Sequence, residues 1–386
     1  MKIRTRALAV LPMLAAMACG ASTSGGGSGK GVGGSETTSP ASGSFGSFGP
    51  PGSGACVPQA PGAFYNAICV CEDLTEAGTL TTHAPAQGQA SVGVNGRSAA
   101  GTGASIEGSF TAYDGLDVGG LLSVRDDVVS TQTVDGAGVF DIGKDLSVGG
   151  PFTFAGALSV DGTLRLAQPS TVFVPVHVSQ TGPYTAPSSP PCGCDAASLL
   201  PIAQAVAQAA IQNDNAAHGL ATDGASLVGA GSLTLTTGSY YFEDVTRIGL
   251  GEIDIQGNVS VYLDGPSVTV GVGQFSIAPG SSLDLYVSGV LATAGAVALG
   301  DPSHPEAFRL FVGGAGSMIA TAGAQAWSGL VYAPQADVAF GGVTEVHGSI
   351  FAKTLTWGGA LDVTYSGGAL TSGSTCPTPP APGANN

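Results

Sequence analysis

One short pattern recurs along the second half of this chain and constrains its fold more than any other feature. The second residue of each copy is aromatic or, once, valine. These residues are Tyr241, Tyr262, Tyr286, Phe311, Val331 and Phe351. A nearly constant step of about 20–25 residues, filled with short strands and glycine turns, is typical of a solenoid. The sequence therefore predicts an all-β protein, a parallel right-handed β-helix with one coil per step.

Side chains in each copy alternate between two faces, because the side-chain period of a strand is 2. One face is apolar in every coil, as in Val259, Val261 and Leu263, and is predicted to stack in the core. The other face carries the second residues named above, which form a predicted outward column. Asp284 and Arg309 lie on that face in successive coils, so we expect them to form a cross-strand ion pair.

Residues 195–218 hold the convincing helix signal of the chain. The apolar residues at helical spacing are Ile202, Val206 and Ala209 or Ala210. Pro201 fits only a first turn, so the regular helix is predicted to begin near Ser198 or later. An outward aromatic column is unusual on a surface facing water. We therefore predict that the alanine-rich helix packs on the flank of the solenoid and covers the column. The alternative is that the column is a binding surface.

A related phrase recurs in the first half of the chain. Its copies are Leu116-Asp-Val-Gly-Gly120, Leu146-Ser-Val-Gly-Gly150 and Leu158-Ser-Val-Asp-Gly162. Phrases of this kind fit β-helix coils. The three copies are spaced 30 and then 12 residues apart, which is less regular than the spacing in the second half. We predict a second β-helix-like region here. The sequence leaves open whether the two regions form one continuous solenoid.

The beginning of the chain has the pattern of a targeting segment. Basic residues precede an apolar run that ends near Ala18, and the run is too short to span a bilayer. Ala16-Met-Ala-Cys19 resembles the lipobox of bacterial lipoproteins, which implies a lipid on Cys19. Ala16 stands where that family usually has Leu, so ordinary cleavage near Ala18 is the alternative. Because Gly20 follows Cys19, we expect an outer-membrane or cell-surface location.

Six segments are predicted from these signals and from composition. They are a lipoprotein signal peptide (1–18), the lipidated Cys with a Gly/Ser-rich linker (19–55), an N-terminal β-helix-like region (56–190), a Cys-x-Cys segment with the helix (191–220), a C-terminal β-helix region (221–370) and a Pro-rich tail (371–386).

Six cysteines remain when Cys19 is set aside, and an even number in an exported chain argues for disulfides. They are Cys56, Cys69, Cys71, Cys192, Cys194 and Cys376. We expect the Cys69-Val-Cys71 segment to pair with Cys192-Gly-Cys194, and Cys56 with Cys376. A four-thiolate metal site built from the two Cys-x-Cys units is the alternative, although structural zinc more often uses Cys-x2–4-Cys spacing.

Charge and motifs narrow the possible functions. Without Lys2, Arg4 and Arg6, 8 basic residues face 27 acidic ones, a net charge of −19. No basic patch is available to hold phosphates, so nucleic-acid binding is not expected. The five histidines show no metal-ligand spacing, and no nucleophile motif is present. We predict no cofactor, no metal and no catalytic residue.

Parallel β-helices often host polysaccharide lyases and hydrolases, which is an analogy from fold alone. The carboxylates that could serve such an enzyme are Glu252, Asp254, Asp264 and Asp284. Glu252 and Asp254 alternate with two isoleucines, so a solvated strand face explains them without chemistry. No Arg or Lys beside the pair could clamp a sugar acid.

Four phrases of the second half are Thr237-Gly-Ser-Tyr-Tyr-Phe242, Val259-Ser-Val-Tyr-Leu-Asp264, Ser328-Gly-Leu-Val-Tyr-Ala-Pro334 and His347-Gly-Ser-Ile-Phe-Ala352. With them, the segment from Pro191 to Gly368 resembles an uncharacterised β-helix domain of bacterial exported proteins. The first half, through Ala90-Ser-Val-Gly-Val-Asn-Gly96 and Asp145-Leu-Ser-Val-Gly-Gly150, is similar to choice-of-anchor A surface domains and to polymer-forming bactofilin-like coils. These resemblances imply β-helix coils and supply no catalytic residue.

These observations together predict a non-enzymatic β-helix lipoprotein with a structural or adhesive role at the cell surface or envelope. Its expected partners are the membrane, through the lipid anchor, and glycans or other envelope proteins. The alternative is a carbohydrate-active β-helix enzyme or glycan-binding module. Convergent carboxylates in an outward groove would favour the alternative, and a flank covered by the helix would favour the structural role.

Overall fold

The computed structural model describes residues 66–84, 90–172, 176–197, 199–224, 227, 232–248, 252–270 and 274–366. These residues form a β-solenoid of about 11 turns with one α-helix. All strand pairs between different elements are parallel. The predicted fold class, a parallel β-solenoid with one flanking helix, is confirmed.

Fifteen strands belong to the first half. They are β1 (Ile68–Val70), β2 (Leu74–Glu76), β3 (Thr79–His83), β4 (Val92–Val94), β5 (Arg97–Ala100), β6 (Gly103–Ile106), β7 (Phe110–Ala112), β8 (Gly115–Val118), β9 (Leu121–Val124), β10 (Val128–Ser130), β11 (Val134–Ile142), β12 (Leu146–Val148), β13 (Phe152–Leu166), β14 (Ser170–Val172) and β15 (Val176–Pro183).

Ten strands belong to the second half. They are β16 (Leu233–Glu243), β17 (Arg247–Ile248), β18 (Glu252–Asp264), β19 (Ser267–Val270), β20 (Gln274–Ile277), β21 (Ser282–Val287), β22 (Val290–Ala294), β23 (Val297–Leu299), β24 (Phe308–Val312) and β25 (Met318–Tyr365). Helix α1 (Ile202–Ile211) precedes them, and short 3-10 turns cover Asn215–His218 and Pro305–Ala307.

From Val92 to Val160 the first half repeats with a fixed step, although its first coil is longer, since Ile68 is in register with Val92. Val92 is in register with Phe110, and Phe110 with Val128, so each coil adds the same length of chain. The step is 18 residues. The Asp145 N–H, for example, donates to the Asp127 carboxylate of the preceding coil across a sequence separation of 18. The other two sides of the coil keep the same step, so each coil is a triangle with three equal sides. The phrases repeated in the sequence are unevenly spaced because they lie on different sides of the triangle.

Coils of the second half are uneven in length: several are longer than 18 residues, but the last is not, since the Thr354 hydroxyl bonds Asp337 of the preceding coil across a separation of 17. The Ser288 hydroxyl bonds Asp264 of the preceding coil across a sequence separation of 24, and Arg309 bonds Asp284 across a separation of 25. The extra residues form corners, such as the 3-10 turn at Pro305–Ala307. The inward face follows the predicted alternation, since the three core residues predicted in β18 are all buried.

The two halves form one continuous solenoid, but their coils do not stack in sequence order. The last coil of the second half pairs with the first coil of the first half, since Ile350 is in register with Ile68 and Leu361 with Leu80. The indole nitrogen of Trp357 donates across this junction to the carbonyl of Thr79 at 3.1 Å. Both ends of the described chain therefore lie at the middle of the solenoid.

Because the coils are permuted, the chain must return along the solenoid between its two halves. This return is the connector, which comprises the described residues 184–197, 199–224, 227 and 232. Pro191 and Cys192 lie over Gly93, Ile202 over Gly313, and the Asn215 amide reaches Tyr241 at the opposite end. The connector thus runs along one flank and antiparallel to the direction in which the coils advance.

A glycine ridge marks one corner of nearly every coil. It begins at Gly295, and each later member lies next to the carbonyl of the member before it: Gly323, Gly342, Gly359, Gly78, Thr102 (the one non-glycine), Gly120, Gly138 and Gly156. Gly138 shows why glycine is needed: its φ is +129°, and a Cβ would lie 2.1 Å from the Gly120 oxygen. No charged residue directly precedes or follows any ridge position in the sequence. Leu121, Val139 and Val343 stand exposed along one side of the ridge.

Candidate functional site

An aromatic column runs along the outward face of the second half. The rings of Tyr262 and Tyr286 stack with centroids 4.6 Å apart, and those of Tyr286 and Phe311 with centroids 4.5 Å apart. Tyr332 and Phe351 continue the column with tilted and edge-on contacts of 5.9 and 5.4 Å. Tyr241 belongs to the same buried cluster at the far end. The coil spacing of a β-solenoid, about 4.8 Å, sets this stacking distance.

The prediction that Val331 occupies the column was wrong. The register pairs Phe311 with Tyr332 and Leu310 with Val331, so Val331 lies in the solenoid core. The sequence pattern aligned Leu330 with Leu310, which is one residue out of register. A slip of one residue exchanges the two faces of a strand. In the observed register, Tyr332 packs on Phe311 and Val331 lies in the core.

Helix α1 packs on this column. Ile202, Val206 and Ala209 are its buried residues, and they share a cluster with the rings of Tyr286 and Phe311. The helix begins after the proline of the predicted first turn and ends at Ile211. Each fully buried Val or Ile side chain contributes about 1.5–3 kcal/mol, so burial of these side chains stabilises the docked position of the helix. The column is therefore largely an internal docking face.

Two disulfides fix the connector to the junction coil. Cys69 pairs with Cys192 and Cys71 with Cys194. The predicted pairing of the two Cys-x-Cys segments is confirmed, and the alternative four-thiolate metal site is ruled out because all four sulfurs are in these bridges. Cys69 takes the position next to Phe351 in the outward column. Gly93 follows it and leaves room for the connector: a Cβ there would lie 3.0 Å from Pro191. Cys19, Cys56 and Cys376 lie outside the described residues.

Amide side chains anchor the connector at both ends. Asn95 of the solenoid accepts a hydrogen bond from the Cys192 backbone N–H and donates to its carbonyl, both at 2.9 Å. Asn215 of the connector forms the same pair with the Tyr241 backbone, at 2.9 and 2.7 Å. A side-chain amide that both accepts from and donates to one backbone residue makes the hydrogen bonds that a neighbouring strand would otherwise make. Together with Asp214, which bonds the backbone of β16, Asn215 covers the outer edge of that strand.

A buried ion pair lies beside the column. Nε and Nη2 of Arg309 donate to the two carboxylate oxygens of Asp284, at 2.5 and 2.7 Å. The pair was predicted, but as an exposed one. The Asp284 side chain is only 11% and that of Arg309 21% exposed. Burial raises the pKa of neighbouring Tyr286 well above its usual value. Asp284 is therefore committed to a structural contact.

A cleft of about 500 Å³ opens beside the far end of the column. Its floor is an Asp264 carboxylate that accepts hydrogen bonds from the Tyr241 hydroxyl at 3.1 Å and the Ser288 hydroxyl at 2.8 Å. Desolvation and the bond to Asp264 raise the pKa of Tyr241 to about 12. Glu243 also lines the cleft. The cleft thus offers carboxylate acceptors and an aromatic edge, the kind of lining that can bind polyol hydroxyls.

The four candidate carboxylates do not come together. Asp264 lies in the cleft, and Asp284 is held by Arg309. Glu252 and Asp254 lie at the other end of β18, where Asp254 is in register with a threonine and a serine. Among the described residues, no cluster of three or more His, Cys, Asp or Glu side chains is arranged to hold a metal ion.

Sequence reasoning missed two titratable groups at the junction of the halves. Glu76 points into the core in register with Trp357, is 7% exposed and accepts a hydrogen bond from the Gly103 N–H at 3.1 Å. Burial raises its pKa to about 7. His83 lies between Glu107 and Asp362, at 3.6 and 3.4 Å, and so links both halves. The alternation in Leu74-Thr-Glu76 was the signal that could have placed Glu76 inside.

Comparison with known proteins adds a family match for the second half. Helix α1 has ten residues, and the described part of the chain contains no helix long and apolar enough to cross a membrane. No curated protein and no solved structure matches the chain. Residues 193–369, which include helix α1 and all the strands of the second half, match the model of the family described as Domain of unknown function (DUF7305).

Proposed function

We propose that this protein is a non-enzymatic, envelope-associated β-solenoid with a structural or adhesive role, held at the outer membrane or cell surface by a lipid on Cys19. The observation that carries the proposal is the covered flank. The aromatic column, which would be the natural binding strip of the solenoid, is occupied by helix α1 and anchored there by two disulfides and two amide pairs. The rings of this face are committed to internal contacts.

The position of the chain ends supports an anchored role. The described chain enters the solenoid at residue 66 and leaves it at residue 366, both at the junction coil. A tether on the N-terminal side would hold the solenoid at its middle and leave both ends accessible. A surface module that presents its sides and ends to neighbours fits this arrangement. The choice-of-anchor A and bactofilin-like resemblance of the first half points the same way.

The charge distribution supports contact with other envelope components. The chain has a net charge of −16, yet the glycine ridge and its immediate neighbours carry no charge along the solenoid. Exposed Leu121, Val139 and Val343 add apolar area there. Contiguous apolar surface on an otherwise acidic protein is typical of interaction sites.

The anchor is tested by Cys19→Ser. We expect the variant to move from the membrane fraction to the soluble fraction of cells, and labelling with a fatty-acid analogue to disappear. A Cys56→Ser variant is the matched control and should stay membrane-bound. Unchanged partitioning of Cys19→Ser would refute the lipid anchor, and it would leave the fold as described.

Glycan binding is the second candidate function, because the cleft at Asp264 provides polar acceptors beside an aromatic side chain. The Cys19→Ser protein should be applied to a glycan array and to a reducing-sugar assay. The structural role predicts neither binding nor turnover. Binding that is lost in Tyr241→Phe, which removes the hydroxyl bonded to Asp264, would establish the cleft as a lectin-like site. Turnover would establish an enzyme.

A further inference from the structure

The two disulfides secure a segment whose helix packs on the column through a short row of side chains. Helix α1 buries three side chains, Ile202, Val206 and Ala209, and has no side-chain hydrogen bond at its N-cap. A helix of this length does not persist by itself in water. Beyond the bridges, the Leu200 N–H donates to the Tyr332 hydroxyl at 2.9 Å, and an amide pair holds the backbone of the first connector cysteine. The covalent links therefore keep the helix close enough to rebind whenever it lifts.

The bridges also differ in access to solvent. Cys69 is 0% and Cys192 4% exposed, whereas Cys71 and Cys194 are both half-buried. Thiol–disulfide exchange requires that a thiolate reach one of the two sulfurs. The Cys71–Cys194 bridge is the one that an external thiol can reach first, and the Cys69–Cys192 bridge becomes reachable only after the outer one opens.

We propose that the two bridges form a redox-operated latch, which an external dithiol opens from the outer bridge inward. Opening releases residues 191–197 and 199–211 from the flank and uncovers the aromatic column, while the solenoid stays folded. The far end of the connector remains attached, because Asp214 and Asn215 bond the edge of β16.

The chemistry of each step is ordinary exchange. One thiolate of the dithiol attacks a sulfur of the outer bridge, and the other cysteine leaves as a thiolate. The second thiol of the reagent then attacks the mixed disulfide, closes the reagent into its own disulfide and frees the second cysteine. Two electrons and one oxidised dithiol are accounted for at each bridge.

The solenoid does not depend on the bridges for its ladder. Strand β1, which carries Cys69, pairs in register with β4 on one side and with β25 on the other. The protein's two tryptophans, Trp327 and Trp357, are buried in the solenoid core away from helix α1. Their fluorescence therefore reports on the solenoid separately from the connector.

The test uses the full chain in its oxidised form, treated with dithiothreitol in native buffer. Hydrogen exchange read by mass spectrometry should rise by about tenfold or more in α1 after reduction. Exchange in β18 and β21 and the tryptophan emission should not change. Mapping of partially reduced samples should show the Cys71–Cys194 bridge lost before Cys69–Cys192.

Two outcomes would overturn the latch. Unchanged exchange in α1 after full reduction would mean that packing alone holds the helix. A red shift of tryptophan emission in step with reduction would mean that the bridges hold the solenoid itself. A C71S/C194S variant is the matched control: its α1 should exchange slowly until the inner bridge is reduced, and that bridge should open faster than in the wild type. Inner-bridge reduction at the wild-type rate would contradict the order of opening.

Discussion

The two halves of the solenoid share the same coil architecture but differ in their outward faces. In the first half the positions equivalent to the aromatic column are small or polar, as with Thr111, Val129 and Ser147, and they are half-buried. In the second half they are large rings, and a helix covers them. The column of small side chains goes with coils that mostly repeat every 18 residues, whereas the column of rings goes with coils of uneven length and a helix packed on them. In this chain, coil length is more regular where the column residues are small, and it is less regular where the column residues are rings covered by a helix.

The largest expected effect concerns the bridges that hold the shared connector. C69A/C71A/C192A/C194A should lower the free energy of unfolding by about 5 kcal/mol in the chain-entropy model, because each bridge closes a ring between cysteines at a sequence separation of 123. Either bridge alone closes nearly the same ring. C71A/C194A should therefore cost well under half of that amount. Urea unfolding followed by tryptophan emission measures both, and two equal, additive losses would contradict the ring argument.

The outward columns themselves provide the next test. Tyr286→Ala should destabilise the protein by about 4 kcal/mol, because it removes a buried ring stacked on two neighbours. Val129→Ala, at the equivalent position of the first half, should cost less than about 1 kcal/mol. Thermal unfolding of both variants gives the comparison. If Tyr286→Ala leaves stability unchanged and reduces binding to cells or glycans instead, the column is a binding site.

Both halves also contain an inter-coil Arg–Asp pair, and burial should separate their effects. Asp284→Asn should cost about 3 kcal/mol, because it leaves the Arg309 charge largely buried without its partner. Asp117→Asn breaks the pair with Arg97, whose side chains are 40% and 47% exposed, and should cost less than about 1 kcal/mol. Equal losses in chemical denaturation would show that the helix does not shield the Asp284 pair.

The junction between the halves should respond to pH through Glu76. Its pKa is raised from 4.5 to about 7 in the folded protein, so stability is fully present below pH 4.5 and falls as pH rises through 7, by about 3 kcal/mol at most. Glu76→Gln should remove this fall and be the more stable protein at pH 8. Melting temperatures at pH 5 and pH 8 give the measurement. Parallel profiles for the two proteins would mean that the carboxylate is solvated.

Much of this architecture can be predicted from the sequence, because the strands of solenoid coils show a local alternation of apolar and polar residues. The inward triplets, the Asp284–Arg309 pair and the covering helix follow from side-chain period or helical spacing, whereas the pairing of the two Cys-x-Cys segments was one choice among pairings that the sequence leaves open. The equal sides of the first-half coils are also readable, since buried residues recur at Val92, Ser98 and Ala104 and again one coil later. The glycine phrases obscure this repeat, because they lie on different sides of the triangle.

Two features could not be predicted from the sequence in the same way. The order in which the coils stack cannot be predicted, because any coil with an apolar interior can pair with any other. No local sequence signal indicates that Ile68 pairs with Ile350. The cleft at Asp264 is hidden for a similar reason. It needs Glu243, Asp264 and Ser288 from three successive coils, together with a corner whose shape depends on coil length. Long-range assembly, rather than local preference, decides both.

The permuted stacking has a consequence for how the chain is made. Ile68 and its partner Ile350 lie near opposite ends of the described chain, so the central pairing is among the most distant contacts in the sequence. During synthesis the coil at Ile68 is completed early, and the edge it later pairs with is almost the last to emerge. Non-local pairing slows folding, and an unpaired strand edge invites association with other chains. The first half therefore has an unpaired strand edge until the last coil of the second half has been synthesised and pairs with it.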